Sequence, residues 1–499
     1  VAAPEGPLVV GIDSSTQSVK ALVVDSATGL IVARGQEAHT VSAGAGRESD
    51  PEQWWAALLT ALGRCGEPVR RAAAVSVAGQ QHGLVTLGAD GHPVRPALLW
   101  NDVRSAPQRD RLVAALGGPR WWADRLGSVP APAFTVTKWA WLREHEPEAA
   151  AATRAVRLPH DYLTGRLTGQ GPEGAGSTDR GDASGTGWWA ARTGTYEEAV
   201  LEHVGLPAAL LPRVLGPGEA AGTVSEGLPL PAGTLVAAGT GDNMAAALGL
   251  GLRPGTPVLS LGTSGTVYAL TSRRPADPTG TVAGFAAAGE GWLPLACTLN
   301  CTLAVDRVAA LLGLDREAVE PGGEATMLPF LDGERTPDLP YASGLLYGLR
   351  HDTSRGQILQ AAYDGAVFAL LRALTQVLGW ADRATGPEGS GEPDRGGRAA
   401  REDAADAPLL LIGGGAQGTA WRETVRRLSG RPVQVPRARE LVALGAAAQA
   451  AGLLLGEDAA AVARRWATAA GPVHEAVPRD ESALTRLEGS LTRADTLLR

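Results

Sequence analysis

Short apolar runs, each stopped by a cluster of Ser, Thr, Gly or Asp, set the rhythm of this chain. "PLVVGID", "VKALVVDSATG" and "LIVARG" are three β-type runs, joined by "SSTQS" and by the turn residues of "SATG", and they predict an N-terminal sheet built from hairpins. The apolar positions of "DPEQWWAALLTALGRC" recur at helical spacing, with acid in the first turn, so a helix follows. "AAAVSVAG" reads as another buried strand, ending at "QQHG", and "LVTLGADGHPV" returns through an Asp-Gly turn. After "ALLWNDVR" the pattern is mostly helical and holds many of the tryptophans, and "GQGPEGAGSTDRGDASGTGWW" reads as a long polar loop.

The opening pattern then recurs. "PVLSLGTSGTVYALTS", Pro257 to Ser272, again places a Gly/Ser/Thr turn between two short β-runs. Helices follow in "SRGQILQAAYDGAVFALLRALTQVLG", then strand, glycine turn and helix in "PLLLIGGGAQGTAWRETVRRLSG", then "PVQV" and "ELVALGAAAQAAGLLLG". Two halves that each open on a polar-tipped hairpin predict an α/β protein with a duplicated domain around a cleft, residues 1–250 and 251–499. The stretch Arg383 to Pro408 is rich in Gly, Pro and charge. It has too little apolar surface to offset its ordering entropy, and is expected to be a mobile surface insertion, 383–408.

Composition narrows the function classes. A chain of 499 residues, 44% hydrophobic and 20% charged, is expected to be globular and to hold at least two domains. The net charge of −8 leaves no electrostatic footprint for nucleic acid. Lys20 and Lys138 are the only lysines. Three cysteines, Cys65, Cys297 and Cys301, are too few and too odd in number for a disulfide framework, and "CTLNC" lacks the second pair that zinc needs. With no apolar run of 18 residues and no basic-then-apolar N-terminus, the expected location is cytoplasmic, away from any membrane.

Candidate chemistry sits where the apolar runs stop. In "LVAAGTGDNMAAALGLG", Leu235 to Gly251, Asp242 occupies an N-cap position, a role that by itself accounts for most such residues. Asp13 in "GIDSSTQS" either stabilises an Asx-turn or orients Mg²⁺ on a triphosphate, with Ser14, Ser15 and Thr16 near the phosphate oxygens. "LGTSGT" is the equivalent element of the second half; it carries no charge, so Gly262, Thr263, Ser264 and Gly265 would grip phosphate through backbone and hydroxyl alone. No Gly-Lys pair exists, which excludes the ordinary P-loop. Gly413, Gly415 and Gly418 do satisfy G-x-G-x-x-G, but Pro436 and Arg437 stand where a dinucleotide fold wants an acid, and Glu440 comes late. That turn, with Gly414 and Gln417, is left as an adenosine platform or a close packing turn. Gln80, Gln81 and His82, with Trp100, Asn101, Asp102 and Arg104, place amide, imidazole and indole groups at strand ends, which suits a polyhydroxylated ligand.

Ten stretches in order, "GIDSSTQSVK", "DPEQWW", "GQQHG", "LLWNDVR", "LPHDYLTGRLTG", "TDRGDASGT", "GTGDNMAAALG", "LSLGTSGTVY", "LPFLDGERTPD" and "LLIGGGAQG", resemble the FGGY carbohydrate kinases over nearly the whole chain. The resemblance implies an actin-like, ribonuclease-H-type fold in duplicate, with ATP and sugar meeting in the cleft between lobes. It implies Asp242 as general base, held ionised by the helix dipole, and Asp13 as the carboxylate facing metal and phosphate, directly or through water. It gives "GQQHG" to the sugar, with Gln81 standing where the family often has Met, and adds Asn243 to Gln81, His82, Trp100, Asn101, Asp102 and Asp242 as sugar contacts. Thr16, Gly262 to Gly265, Gly413 to Gly415 and Gln417 fall to ATP. The expected reaction is Mg²⁺- and ATP-dependent phosphorylation of D-xylulose at its terminal hydroxyl. Ribulose, gluconate and glycerol are the sibling substrates, and a non-catalytic actin-like nucleotide-binding protein is the rival class. The expected partners are a small sugar and ATP, with a homodimer as one candidate assembly that the sequence does not decide.

Overall fold

The strand Leu8–Ser14 is buried along its whole length, as an unbroken apolar run must be when both faces of a sheet are covered. It pairs antiparallel with Ser18–Asp25 and parallel with Ala72–Gly79. From edge to edge the sheet runs Ile31–Ala38, Ser18–Asp25, Leu8–Ser14, Ala72–Gly79, Leu235–Ala237 and Ala220–Thr223, and the short strand Thr240–Gly241 also pairs with Ala72–Gly79. The successive pairings are antiparallel, antiparallel, parallel, parallel and antiparallel. This computed structural model describes residues 4–42, 46–172, 176–382, 407–494 and 498. The insertion expected at Arg383 to Pro408 lies outside the described residues, apart from Ala407 and Pro408.

A second sheet repeats this plan. Residues 295–298 are followed by Gly265–Ala269, Pro257–Leu261, Leu409–Ile412, Val433–Gln434 and Val473–His474. Their pairings are again antiparallel, antiparallel, parallel, parallel and antiparallel. One strand order with one succession of senses, used twice, is the structural form of the repeat in the sequence.

The chain forms two compact units, and neither is continuous. The first comprises Val1–Leu252, Arg274–Leu293 and Glu440–Ala469; the second comprises Arg253–Arg273, Pro294–Arg439 and Ala470–Arg499. The first break falls close to the expected 250/251 boundary, but the division into 1–250 and 251–499 needs correcting for two segments that return to the first unit. Close packing explains the larger return. The helix Leu441–Leu455 is buried over most of its surface, as a helix apolar all round must be. A Cβ on Gly11 would strike Ala443 O and Ala447 N of this helix, and one on Gly445 would strike Ala245 O of the helix Asp242–Gly249. Glycine and alanine let the helix lie directly on the first sheet.

The segment read as a long polar loop also differs. Ser177–Asp179 is a strand and Arg180–Ala183 a helical turn, and the polar side chains Ser177, Thr178, Asp179 and Asp182 are buried. Its polarity serves an internal charge cluster. In the second unit, the helix Arg355–Trp380 is long and apolar enough to cross a membrane by composition. Yet 72% of its apolar window is buried in the protein, so it reads as a core helix.

Substituting Gly445 tests the close approach. Gly445→Val would press a branched side chain into the Ala245 carbonyl, and we expect a loss of about 2–3 kcal/mol of stability, read as a lowered urea midpoint.

Candidate active site

The parallel strands of the first sheet end together, and the candidate residues of the first unit gather there. Asp13 and Ser14 close the strand Leu8–Ser14, Gln80 and Gln81 follow Ala72–Gly79, and Asp242 follows Thr240–Gly241. In open α/β sheets, ligands bind at this carboxyl edge. The strands are held in register here by Asp13↔Ala78, Ser14↔Gly79 and Gly241↔Gly79.

Asp242 is the first residue of its helix, and Gly241 is the N-cap, without a side-chain cap bond. The capping role expected for Asp242 is therefore not the one it has. Its Oδ1 accepts from Asn243 N at 2.8 Å and from Asn243 Nδ2 at 3.1 Å. Asn243 Nδ2 also donates to Gln81 Oε1 at 2.9 Å, so Gln81, Asn243 and Asp242 form one chain of bonds. The carboxyl of Asp242 is pushed up to about 7, by burial first and by the Asp13 carboxylate second. The expectation that the helix dipole holds it down fails, because an eight-residue helix contributes less than burial beside a second carboxylate.

Asp13 lies opposite Lys20 in the strand register. Lys20 Nζ is 4.0 Å from Asp13 Oδ2 and donates to Glu440 Oε2 at 2.9 Å. Burial pushes Asp13 up to about 6; Lys20 opposes this and Glu440 adds to it. Glu440 is thereby engaged within the first unit, which removes the late acid from the dinucleotide reading.

Around these carboxylates, several buried polar atoms lack a partner among the described residues: Ser14 Oγ, both ends of the Gln80 amide, Gln81 Nε2 and Asn101 Oδ1. Orphaned polar groups in one place are what a polar ligand would satisfy. Thr16 accepts from Trp100 Nε1 at 3.2 Å, so these two come together. His82 adopts φ +64°, and its Nδ1 meets Gly185 O at 2.8 Å. Its ring stacks on Phe134 at 4.8 Å and lies 5.6 Å from Phe285. Asp102 differs from the expected sugar contact. Its carboxylate accepts from Arg104 Nε, Nη2 and N and from Arg47 N, and these bonds hold it below the usual range against the upward push of burial. It shapes the Trp100–Arg104 turn.

The second unit carries the uncharged part. Gly262, Thr263 and Ser264 form the turn between Pro257–Leu261 and Gly265–Ala269. Thr302 holds it, donating to Gly262 O from N at 3.1 Å and from Oγ1 at 2.8 Å. The second glycine turn packs against the first. Gly413 has φ +85°, and a Cβ there would meet Leu261 O, while one on Gly415 would meet Thr302 Cγ2 and Leu261 Cβ. Gly414 has open space before it, and Gln417 borders a cavity of about 950 Å³ that Glu317, Gln360 and Thr419 also line.

Four features escaped the sequence reading. Phe134 and Phe285 flank His82, though nothing in their spacing links them to it. Glu334, in "LPFLDGERTPD", is buried and accepts from Leu299 N and Asn300 Nδ2, fixing the residues that lead into Thr302. The fourth is His160, fully buried within ion-pair distance of Asp161, Asp179 and Asp182. Among the described residues, no group of three His, Cys, Asp or Glu is placed to hold a metal ion.

The raised Asp242 has a consequence for stability. Its ionised form is disfavoured in the folded state, a cost absent below the ordinary pKa of 3.8 and complete above about 7. Asp242→Asn is therefore expected to raise Tm at pH 8 by ~2–4 °C, with the gain shrinking as the pH falls towards 4. Thermal melts across that range check it.

Comparison with known proteins identifies the family of the chain. The N-terminal domain of the FGGY family of carbohydrate kinases matches residues 8–249, and the C-terminal domain of that family matches residues 258–453. The xylulose kinase of Streptomyces rubiginosus is 72% identical over 500 aligned residues, which cover 100% of this chain and 98% of the relative. The xylulose kinase of Streptomyces coelicolor is 70% identical over the same coverage. The crystal structure of xylulose kinase from Bifidobacterium adolescentis superposes with a TM-score of 0.81 at 34% identity, covering 97% of this chain and 99% of that one.

Proposed function

The chain belongs to the FGGY family of carbohydrate kinases, and on that premise we propose that it transfers the γ-phosphoryl group of ATP to the terminal hydroxyl of D-xylulose. The products are D-xylulose 5-phosphate and ADP. The observation that carries the substrate is 72% identity, along the whole chain, to a xylulose kinase. Phosphoryl transfer asks the protein for position, charge stabilisation and a proton acceptor, and each has a candidate here.

Asp242 accepts the proton of the terminal hydroxyl as that oxygen bonds to the γ-phosphorus and the bond to ADP breaks. A carboxylate at about 7 suits the task, because a substantial fraction is ionised near neutral pH and that fraction is basic enough to take a proton. Gln81, His82, Trp100, Asn101 and Asn243 hold the sugar; the stacking of His82 on Phe134 fixes its ring in advance. Gly262 to Gly265 offer backbone N–H groups and hydroxyls to the phosphates, Thr16 adds a hydroxyl, and Gly413 to Gly415 with Gln417 seat the adenosine.

ATP arrives as its Mg²⁺ complex. The residues fit that cargo: Asp13 and Asp242 are two carboxylates that disfavour each other's charge, and a cation near Asp13 relieves both. Asp13 would hold that ion, with phosphate and water supplying its other ligands, since no group of three acids or imidazoles among the described residues forms a resident site. It would supply charge neutralisation on the triphosphate. We place the reaction in the cytoplasm.

Coupled ADP release with ATP and Mg²⁺ against D-xylulose, D-ribulose, L-ribulose, gluconate and glycerol tests the substrate. We expect D-xylulose to lead in kcat/KM by ~100-fold or more. A different leading sugar would keep the chemistry and overturn the substrate, and nucleotide hydrolysis indifferent to every sugar would overturn the kinase. Asp242→Asn is expected to lower kcat by ~10³-fold while the KM for ATP stays within about threefold. A variant within tenfold of the parent would remove the base from Asp242.

A further inference from the structure

Beneath the carboxyl edge of the first sheet lies a charge cluster that the reaction above does not use. His160, in the first turn of the helix Pro159–Thr168, is fully buried. Its Nε2 is 3.3 Å from Asp161 Oδ1, 3.5 Å from Asp179 Oδ1 and 3.4 Å from Asp182 Oδ2. All three carboxylates are themselves buried. Burial raises Asp161 and pushes Asp182 well above the usual carboxylate range, and the His160 imidazolium opposes both.

The cluster reaches the site by two routes. Asp179 accepts from Gly181 N and Asp182 N, capping the turn Arg180–Ala183, and its Oδ2 accepts from Thr240 Oγ1 at 2.7 Å. Thr240 opens the short strand that delivers Asp242 two residues later. His160 also lies directly behind the glycines of both strand ends, its ring at Gly239 and its backbone at Gly79. A Cβ on Gly239, at φ +78°, would meet His160 Nδ1, and one on Gly79 would meet His160 N. Gln80 and Gln81 follow Gly79 and Asp242 follows Gly239, so both sugar-facing strand ends rest on His160.

We propose that His160 is a positioning residue: its buried imidazolium holds Asp161, Asp179 and Asp182 together beneath the sheet edge, fixes the strand end that presents Asp242, and keeps Asp242 in its proton-accepting form. This rests on the reading of Asp242 as the base. Burial would pull His160 down, yet Asp161, then Asp179 and Asp182, hold it up at about 9, so it is charged across the working range. Asp242 is among the charges that raise the cost of ionising Asp182, which puts the cluster within electrostatic reach of the site.

Other groups bear on the same balance. Asp13, with Lys20 and Glu440 behind it, faces Asp242 from the first strand. The helix Leu441–Leu455 packs on the Asp242 helix and carries no charge of its own. Arg464, from the neighbouring helix, reaches only the far end at Gly251. On the His160 side, Arg157 acts on Asp161, and the pair Glu52–Arg166 belongs to the outer face of the same helix. None of these replaces the cation at His160.

The test is the pH profile of kcat/KM for D-xylulose with His160→Gln, His160→Lys and Thr240→Val, each checked for folding by circular dichroism. Without the cation, the acid limb of His160→Gln is expected to move up by ~1 pH unit, lowering activity about tenfold at pH 6.5, with the KM for ATP unchanged. His160→Lys, which restores a charge without an imidazole, is expected to bring the limb back. Thr240→Val is expected to lower kcat with the limb unmoved, because it cuts the mechanical link and leaves the charge. A folded His160→Gln with the parent limb overturns the proposal, as does His160→Lys with a displaced limb. Should His160→Gln not fold, the His160→Lys limb alone decides. Asp242→Asn measured alongside separates the two ideas. If it turns over, the base reading fails; if it is inactive and the His160→Gln limb stays put, only the role of His160 fails.

Discussion

Negative charge gathered where solvent is scarce is the constraint on which this protein turns. Asp13 and Asp242 stand at the carboxyl edge of the first sheet, and Asp161, Asp179 and Asp182 lie below it. Ionised carboxylates in such surroundings cost stability unless a cation answers them. Lys20 answers from the strand beside Asp13, and His160 from beneath. The neighbouring structure follows from housing this charge. Glycine at 239 leaves room for the imidazole and glycine at 79 for the His160 backbone, Thr240 ties the strand end to Asp179, and Asn243 and Gln81 complete the bonding around Asp242.

The two sheets share a strand order and, on the proposed reading, divide the chemistry. The hairpin tip of the first unit follows Asp13 and Ser14 at the strand end and adds the hydroxyls of Ser15 and Thr16, whereas its counterpart at Gly262 to Gly265 has no charge at all. A sugar hydroxyl needs a proton acceptor and many fixed donors, which side chains provide. A triphosphate needs positive ends of dipoles, which backbone N–H groups at tight turns provide without a desolvated side chain. The same topology thus supports a charged site in one unit and an uncharged cradle in the other.

Much of this was legible in the chain because it rests on local pattern. The strands Leu8–Ser14 and Pro257–Leu261 announce themselves as apolar runs cut by polar turns, and the repeat between them survives in the arrangement of both sheets. Asp13 and Asp242 stood out as charges at the ends of such runs. What stayed hidden depends on partners distant in sequence. "TDRGDASGT" looks like loop because its acids are counted as exposed, and only the fold shows that His160, about twenty positions earlier, faces them. The return of Leu441–Leu455 to the first unit could not be read from periodicity either, since an apolar helix carries no address; the matching glycines at 11 and 445 do. Asp102 depends in the same way on a partner the pattern does not show. A carboxylate beside Trp and Asn looks like a ligand group until Arg104 is seen to occupy it.

The pKa of Asp242 shows how these constraints meet. A carboxylate at its ordinary value would be fully ionised at neutral pH but a feeble base, and one pushed far higher would hold its proton and accept none. Burial and Asp13 drive Asp242 upward to about 7. A cation brought with the nucleotide would act in the opposite sense, and would do so only when phosphate is present. On this account the acid that costs the free protein stability becomes most fully ionised when there is a phosphoryl group to transfer. The charge that the fold accommodates with difficulty is the one the proposed reaction would use.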